Sequence, residues 1–182
     1  MNQTKKLTLS AMIVAIGTLF MTLGVVIEVF DLTAVALASA LVALVYIELG
    51  SPYTWLVWLC TTFTMFILWN WTTTMWFMYL VLFGIYPILK GYIERLPRVF
   101  WWLIKLPFAN VAFALMLFGI QLIFGIPFID STETLFGITG RALYIVVWAL
   151  LNVAFIAYDF FITVMVRYYM VKLRQRFRKI FK

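Results

Sequence analysis

Two ionisable residues, Lys105 and Asp159, stand inside long apolar segments of the sequence. A charge within hydrocarbon costs at least about 2.5 to 3.5 kcal/mol, so each of them needs a partner or a task. Lys105 follows Arg98 by seven residues and Asp159 precedes Arg167 by eight, so both lie at roughly the same depth if the segments are helices rising about 1.5 Å per residue. We predict a structural ion pair between neighbouring helices. A proton or substrate relay, or a Lys105 side chain that reaches the lipid headgroups, is the alternative.

Further polar residues follow one helical face of the last apolar segment. Their spacings are three, four, four and seven, and they are Arg141, Tyr144, Trp148, Asn152 and Asp159. The first four combine a cation, a phenol, an indole and an amide, the mixture of flat walls and few polar groups that small-molecule pockets use. The alternative for Tyr144 and Trp148 is an interfacial aromatic belt.

The stretch from Trp69 to Trp76 concentrates tryptophan, asparagine and threonine. Its Asn70 and Trp71 are candidates to hydrogen-bond and stack on a ring-shaped ligand. Gln121, near the outer end of the fifth apolar segment, adds another amide to these candidates. Tryptophans at a helix end also anchor a protein at the membrane interface, which is the competing interpretation.

Several kinds of chemistry are excluded by the residues that the sequence lacks. It contains no histidine and a single cysteine, Cys60, so we expect no cysteine or histidine metal site, no iron-sulfur cluster and no cofactor. Neither a GxxxxGK[ST] loop nor an HExxH or GxSxG motif occurs, and we predict that the chain is not an enzyme. Cys60 lies in an apolar run, and we interpret it as a small buried packing residue.

The elements that position these residues follow from composition. The chain is 66% hydrophobic and 12% charged, whereas soluble domains carry about 25% charged residues. At about 20 residues per crossing, the sequence predicts an all-α integral membrane protein, with one compact domain of six transmembrane helices over 1–171. The predicted helices cover 7–28, 32–49, 53–69, 72–93, 99–124 and 141–168, and a basic tail covers 172–182. Pro87 cannot donate to the Phe83 carbonyl, so we expect a kink there.

Charge asymmetry predicts the orientation. With the N-terminus inside, twelve of the fourteen basic residues fall on the inner side, as the positive-inside rule requires. The outer loops then hold Glu28, Asp31, Asp130 and Glu133, with Arg141 as their cation. We therefore predict cytoplasmic termini in a cell membrane, specifically the bacterial cytoplasmic membrane. The lipid bilayer accounts for the basic charge, and we predict no nucleic-acid partner.

The pattern resembles a known family. A 182-residue chain that predicts six helices, begins Lys-Lys-Leu-Thr-Leu-Ser-Ala from Lys5, and carries Ala11 and Ala15 in its first helix is similar to the membrane-embedded S components of energy-coupling factor (ECF) vitamin transporters. The architectural resemblance extends over almost the whole chain, and the alanine pair is its sequence signature.

The resemblance implies a function and residues for it. It implies a subunit that captures a vitamin-like small molecule from outside and delivers it with a transmembrane coupling protein and cytoplasmic ATPases. Ala11 and Ala15 would contact the coupling protein, with Ala36 and Ala40 as further candidates. The implied ligand site near the outer surface comprises Asn70, Trp71, Gln121, Arg141, Tyr144, Trp148 and Asn152. No thiamin, riboflavin, biotin or folate signature is present, which leaves the substrate open.

A different class of function competes with this one. The chain is alternatively a small structural or assembly subunit of a membrane complex, without a ligand of its own. In that case the Trp69 to Trp76 turn and the polar face of the last helix contact lipid or a partner. A membrane-embedded enzyme is the third hypothesis, and the scattered acidic residues disfavour it.

Overall fold

The computed structural model describes residues 2–125 and 141–174, with only the backbone at Glu28, Trp71, Arg141 and Leu173. Six helices make up most of these ranges, and the described residues contain no strand. They are α1 (Gln3–Val26), α2 (Asp31–Leu49), α3 (Ser51–Trp69), α4 (Met75–Ile93), α5 (Val99–Phe124) and α6 (Arg141–Tyr168). The predicted loop acids Asp130 and Glu133, and the predicted tail beyond Arg174, lie outside the described residues.

All six helices are long and apolar enough to span a membrane, with mean hydropathy between 1.2 and 2.2 in their most apolar windows. Water is a poor solvent for such surfaces, and a helix satisfies its own backbone hydrogen bonds within lipid. The described residues thus have the lengths and composition of a multi-pass membrane protein.

Two helices form the centre of the bundle. In α2 and α4, 50% and 56% of the apolar window is buried, compared with 22% to 28% in the other four helices. α2 packs against α1, α3, α4 and α6. Its buried face carries small residues such as Ala38, Ser39 and Ala43, which allow neighbouring backbones to come close.

The ends of two helices depend on glycine. Gly50 follows α2 with φ of 84° and ψ of 177°, and Gly125 follows α5 with φ of 67° and ψ of 14°. Side chains disfavour both conformations, so glycine at these positions ends each helix without strain. Pro52 then stands in the first turn of α3, where its missing N–H is not needed.

The fourth helix starts later than the sequence predicts and is internally irregular. Thr73 is extended, and its hydroxyl accepts a hydrogen bond from Met75 N at 3.2 Å, so α4 begins at Met75 and not at Thr72. Residues Tyr79–Phe83 form a π-turn, in which Gly84 N donates to the Tyr79 carbonyl five residues earlier. Regular α-helix resumes over Tyr86–Ile93.

The interpretation of Cys60 as a buried packing residue is wrong. Its side chain is exposed on the outside of the bundle. In a membrane helix an exposed side chain faces lipid, and an apolar run therefore does not distinguish the core of the bundle from its lipid-facing surface.

Candidate functional site

Ionisable residues meet at one place, which we call the charge cluster: Lys90 of α4, Glu94 directly after α4, Lys105 of α5 and Asp159 of α6. Lys105 Nζ lies 3.0 Å from Asp159 Oδ1 and 3.2 Å from Oδ2. These are the two residues that the sequence analysis paired. Lys90 Nζ forms a second ion pair with Asp159 Oδ1. Glu94 Oε1 completes the cluster at 3.2 Å from Lys90 Nζ and 3.4 Å from Lys105 Nζ.

Neutral groups also form hydrogen bonds with the members of this cluster. Tyr86 donates its hydroxyl proton to Asp159 Oδ1. Lys90 Nζ also donates to the Asp159 carbonyl at 3.0 Å and to the Thr163 hydroxyl at 2.8 Å. Such bonds offset part of the cost of removing charges from water.

The cluster is balanced in charge and largely closed to solvent. Two lysines oppose two carboxylates, and Lys90, Lys105 and Asp159 are only 4%, 2% and 7% exposed. Glu94, whose side chain is 34% exposed, lies at its mouth. Because the sum of the four formal charges is zero, the arrangement suits a structural connection between helices better than the capture of an ion.

Helical spacing explains how the side chains converge. Tyr86 and Lys90 are four residues apart on one face of α4, and Glu94, the residue that follows the helix, continues this spacing. Asp159 and Thr163 are four apart on α6. Lys105 lies near the start of α5, and its ammonium group is 5.5 and 5.6 Å from the ring centroids of Trp101 and Trp102. Tyr86, Lys90 and Glu94 were not singled out in the sequence analysis, although their four-residue spacing is a usable signal.

Trp148 and Asn152, predicted to line a ligand pocket, direct their polar atoms to Asn110 of α5. Trp148 Nε1 donates to Asn110 Oδ1 at 2.6 Å. The amides of Asn110 and Asn152 exchange two hydrogen bonds, at 3.1 and 3.2 Å. This trio joins α5 to α6, and Asn110 was not predicted from the sequence.

The turn between α3 and α4 carries other predicted pocket residues. The carbonyl oxygen of Asn70 accepts a hydrogen bond from Trp76 Nε1 at 2.8 Å. Two buried polar atoms there, Trp69 Nε1 and Asn70 Oδ1, have no hydrogen-bond partner. The ring of Trp76 packs edge-to-face against Phe66, with centroids 4.9 Å apart. The side chain of Trp71 lies outside the described part of the structure, so its role in ligand binding stays a prediction.

Two further predicted ligand residues lie on α5 and α6. Gln121 is exposed near the end of α5 and Tyr144 is 49% exposed on α6. The side chain of Arg141 also lies outside the description. The part of the chain that the structure describes contains no group of three or more acidic or cysteine side chains that could hold a metal ion.

The alanines predicted to contact a partner separate into two settings. Ala11 and Ala15 are exposed and line a groove of about 520 Å³ on α1. Thr18 and Thr22 of α1 and Thr64 of α3 also line this groove. Ala40 is only 7% exposed and belongs to the core, and Ala36 packs against that core. The α2 alanines therefore make contacts within the bundle.

Comparisons with family models, with curated proteins and with solved structures give no match to this chain.

Proposed function

We propose that this protein is the substrate-capture subunit of an ECF-type importer, which binds a vitamin-like small molecule from the outer side of a bacterial cytoplasmic membrane. A coupling protein and ATPases would deliver the substrate inward. The six apolar helices agree with this architecture. In the proposed orientation both termini are cytoplasmic, which places most basic residues on the inner side.

The groove on α1 is the observation that carries the proposal. Membrane helices associate through close packing of small residues, since lipid removes the hydrophobic advantage of burying apolar side chains. Ala11 and Ala15 offer such a surface, and four-residue spacing places them on one face of α1. Their exposure leaves this face free for a helix of the coupling protein.

Co-purification tests the partner. We expect a coupling protein and ATPases to accompany the wild-type chain in mild detergent, and Ala11→Leu with Ala15→Leu to abolish that association because the added side chains fill the groove. The matched control is Ala154→Leu with Ala157→Leu, two exposed alanines of α6. Retention of all partners by the α1 variant, or their absence from the wild type, would contradict the proposal.

The second candidate function is a structural or assembly subunit without a ligand. The observation that favours it is the trio of Asn110, Trp148 and Asn152, whose hydrogen-bonding groups serve each other and not an open pocket. The balanced charge cluster points the same way.

Native mass spectrometry discriminates the two candidates. A substrate-capture subunit is expected to retain a bound small molecule that Asn70→Ala or Trp148→Phe releases, with Trp101→Phe as a control at the other end of the bundle, where Trp101 Nε1 donates to the Leu96 carbonyl. Protein that is empty under several growth conditions favours the structural subunit.

A further inference from the structure

The second half of α4 is separated from the first by an irregular junction. Pro87 has no N–H, so the Phe83 carbonyl lacks its regular helical donor. The preceding π-turn shifts the hydrogen-bond ladder by one residue. The segment Tyr86–Ile93, which we call the half-helix, is therefore connected to the rest of α4 by a weakened ladder.

A tyrosine of α6 satisfies the freed carbonyl. Tyr158 donates its hydroxyl proton to the Phe83 carbonyl at 3.0 Å. The same hydroxyl lies 2.5 Å from Ser39 Oγ of α2. Because Tyr158 has used its proton, Ser39 must be the donor in that contact. The junction is thus supported from α6.

Most polar contacts of the half-helix also lead to α6, whereas Tyr92 near its end shares a hydrogen bond with Ser51 of α3. Tyr86 and Lys90 both bind the carboxylate of Asp159, and Lys90 reaches the Asp159 carbonyl and Thr163 as well. The half-helix also has buried apolar side chains, among them Ile88. In lipid the hydrophobic effect does not hold helices together, so interhelical hydrogen bonds such as these contribute to helix association together with close packing.

We propose that the charge cluster is a latch: Asp159 fastens the half-helix to α6, and release of the carboxylate lets the half-helix move about the junction at Phe83 to Tyr86. Opening begins at Glu94, the most exposed member of the cluster. Its longer contacts with both lysines make it the first charge that water can solvate. This inference concerns the conformation of the chain alone and does not rest on the importer proposal.

Hydrogen exchange on the full chain in detergent micelles, read by mass spectrometry, tests the latch. Asp159→Asn is expected to raise exchange in peptides covering 84–93 by about tenfold or more, while α1 to α3 change by less than about twofold. The matched control is Asn152→Ala. Asn152 precedes Asp159 by seven residues on α6, and its substitution removes hydrogen bonds to α5. It should leave peptides 84–93 unchanged.

The junction is tested separately by Pro87→Ala, which restores an N–H opposite the Phe83 carbonyl. Combined with Asp159→Asn, it should reduce the release of the half-helix at least about threefold, because a continuous helix opens locally with more difficulty. Equal release with and without Pro87 would overturn the hinge.

Other outcomes are equally decisive. Uniform acceleration across all helices would show that Asp159 stabilises the whole fold, and unchanged exchange in 84–93 would show that the cluster fastens nothing; either result overturns the latch. If Asp159→Asn does not fold, Tyr86→Phe and Thr163→Val keep all four charges. Tyr86→Phe removes one hydrogen bond to the Asp159 carboxylate, and Thr163→Val removes the bond from Lys90 and the one to the Asp159 carbonyl within α6. The same local pattern, with smaller amplitude, is then expected.

Discussion

At the scale of residues, charge balance within the cluster determines what each side chain contributes. Breaking a buried ion pair by removing one partner leaves an uncompensated charge, whereas removing both partners is often tolerated. Lys105 and Asp159 are both almost fully buried. Removing them together leaves Lys90 opposite Glu94 at 3.2 Å, so the remaining pair is still neutral.

A double-mutant cycle measures this balance. We expect Asp159→Asn and Lys105→Met each to lower the free energy of unfolding by about 2 to 3 kcal/mol, and the double variant to lie within about 1 kcal/mol of the wild type. Chemical denaturation in detergent provides the values. Glu48→Gln is the control, because its ion pair with Arg174 is partly exposed and should be worth less than about 1 kcal/mol. If the two losses of unfolding free energy add in the double variant, the two charges do not compensate each other.

The sequence could predict part of this cluster. Depth along two helices was enough to pair Lys105 with Asp159, because rise per residue is constant in a regular helix. Spacing alone puts Tyr86 and Lys90 on one face, but the π-turn before them changes the phase relative to the first half of α4, so the neighbour which that face meets could not be predicted. Hydrogen bonding of Asn110 with Trp148 and Asn152 depends on how α5 and α6 pack, which spacing within one helix does not specify.

At the scale of elements, the approach of α1 to α2 depends on one glycine. A Cβ atom at Gly24 would lie 2.7 Å from Ala34 Cβ, which is fixed to the α2 backbone, and 2.7 Å from Met75 Cε. At Gly17, seven residues earlier on the same helix, the nearest atom would be Thr61 Cγ2 at 3.6 Å, an ordinary contact distance. The two glycines therefore have different roles.

Alanine substitution separates these roles. Gly24→Ala is expected to destabilise the fold by about 1 to 3 kcal/mol through overpacking. Gly17→Ala should be neutral or stabilising by up to about 1 kcal/mol, because alanine favours helix. Thermal unfolding of both variants in one detergent compares them directly. If Gly17→Ala lowered the stability as much as Gly24→Ala, the distance between the helices at each glycine would not determine the loss of stability.

At the scale of the whole molecule, six helices could be predicted from hydropathy, because an apolar segment within lipid must satisfy its polar backbone N–H and C=O groups internally, as a helix does. Which face of each helix is buried could not be predicted in the same way. Exposed Cys60 in α3 and buried Ala40 in α2 are both surrounded by apolar residues. In a membrane protein the exterior is as apolar as the core, so hydropathy does not separate them.

Orientation is a property of the whole chain, and cysteine labelling checks it. In a Cys60→Ala background, we expect Val29→Cys to react with a membrane-impermeant maleimide on intact cells, whereas Leu96→Cys should react only with a permeant reagent. Val29 is 90% exposed in the turn between α1 and α2, and Leu96 is 45% exposed between α4 and α5. Three apolar helices, α2 to α4, separate the two positions, so they must lie on opposite sides of the membrane if each helix crosses once. The positive-inside rule predicts that Leu96, which lies between Arg95 and Arg98, faces the inner side. Labelling of both cysteines from one side would contradict the six-crossing arrangement, and the reverse pattern would invert the protein in the membrane.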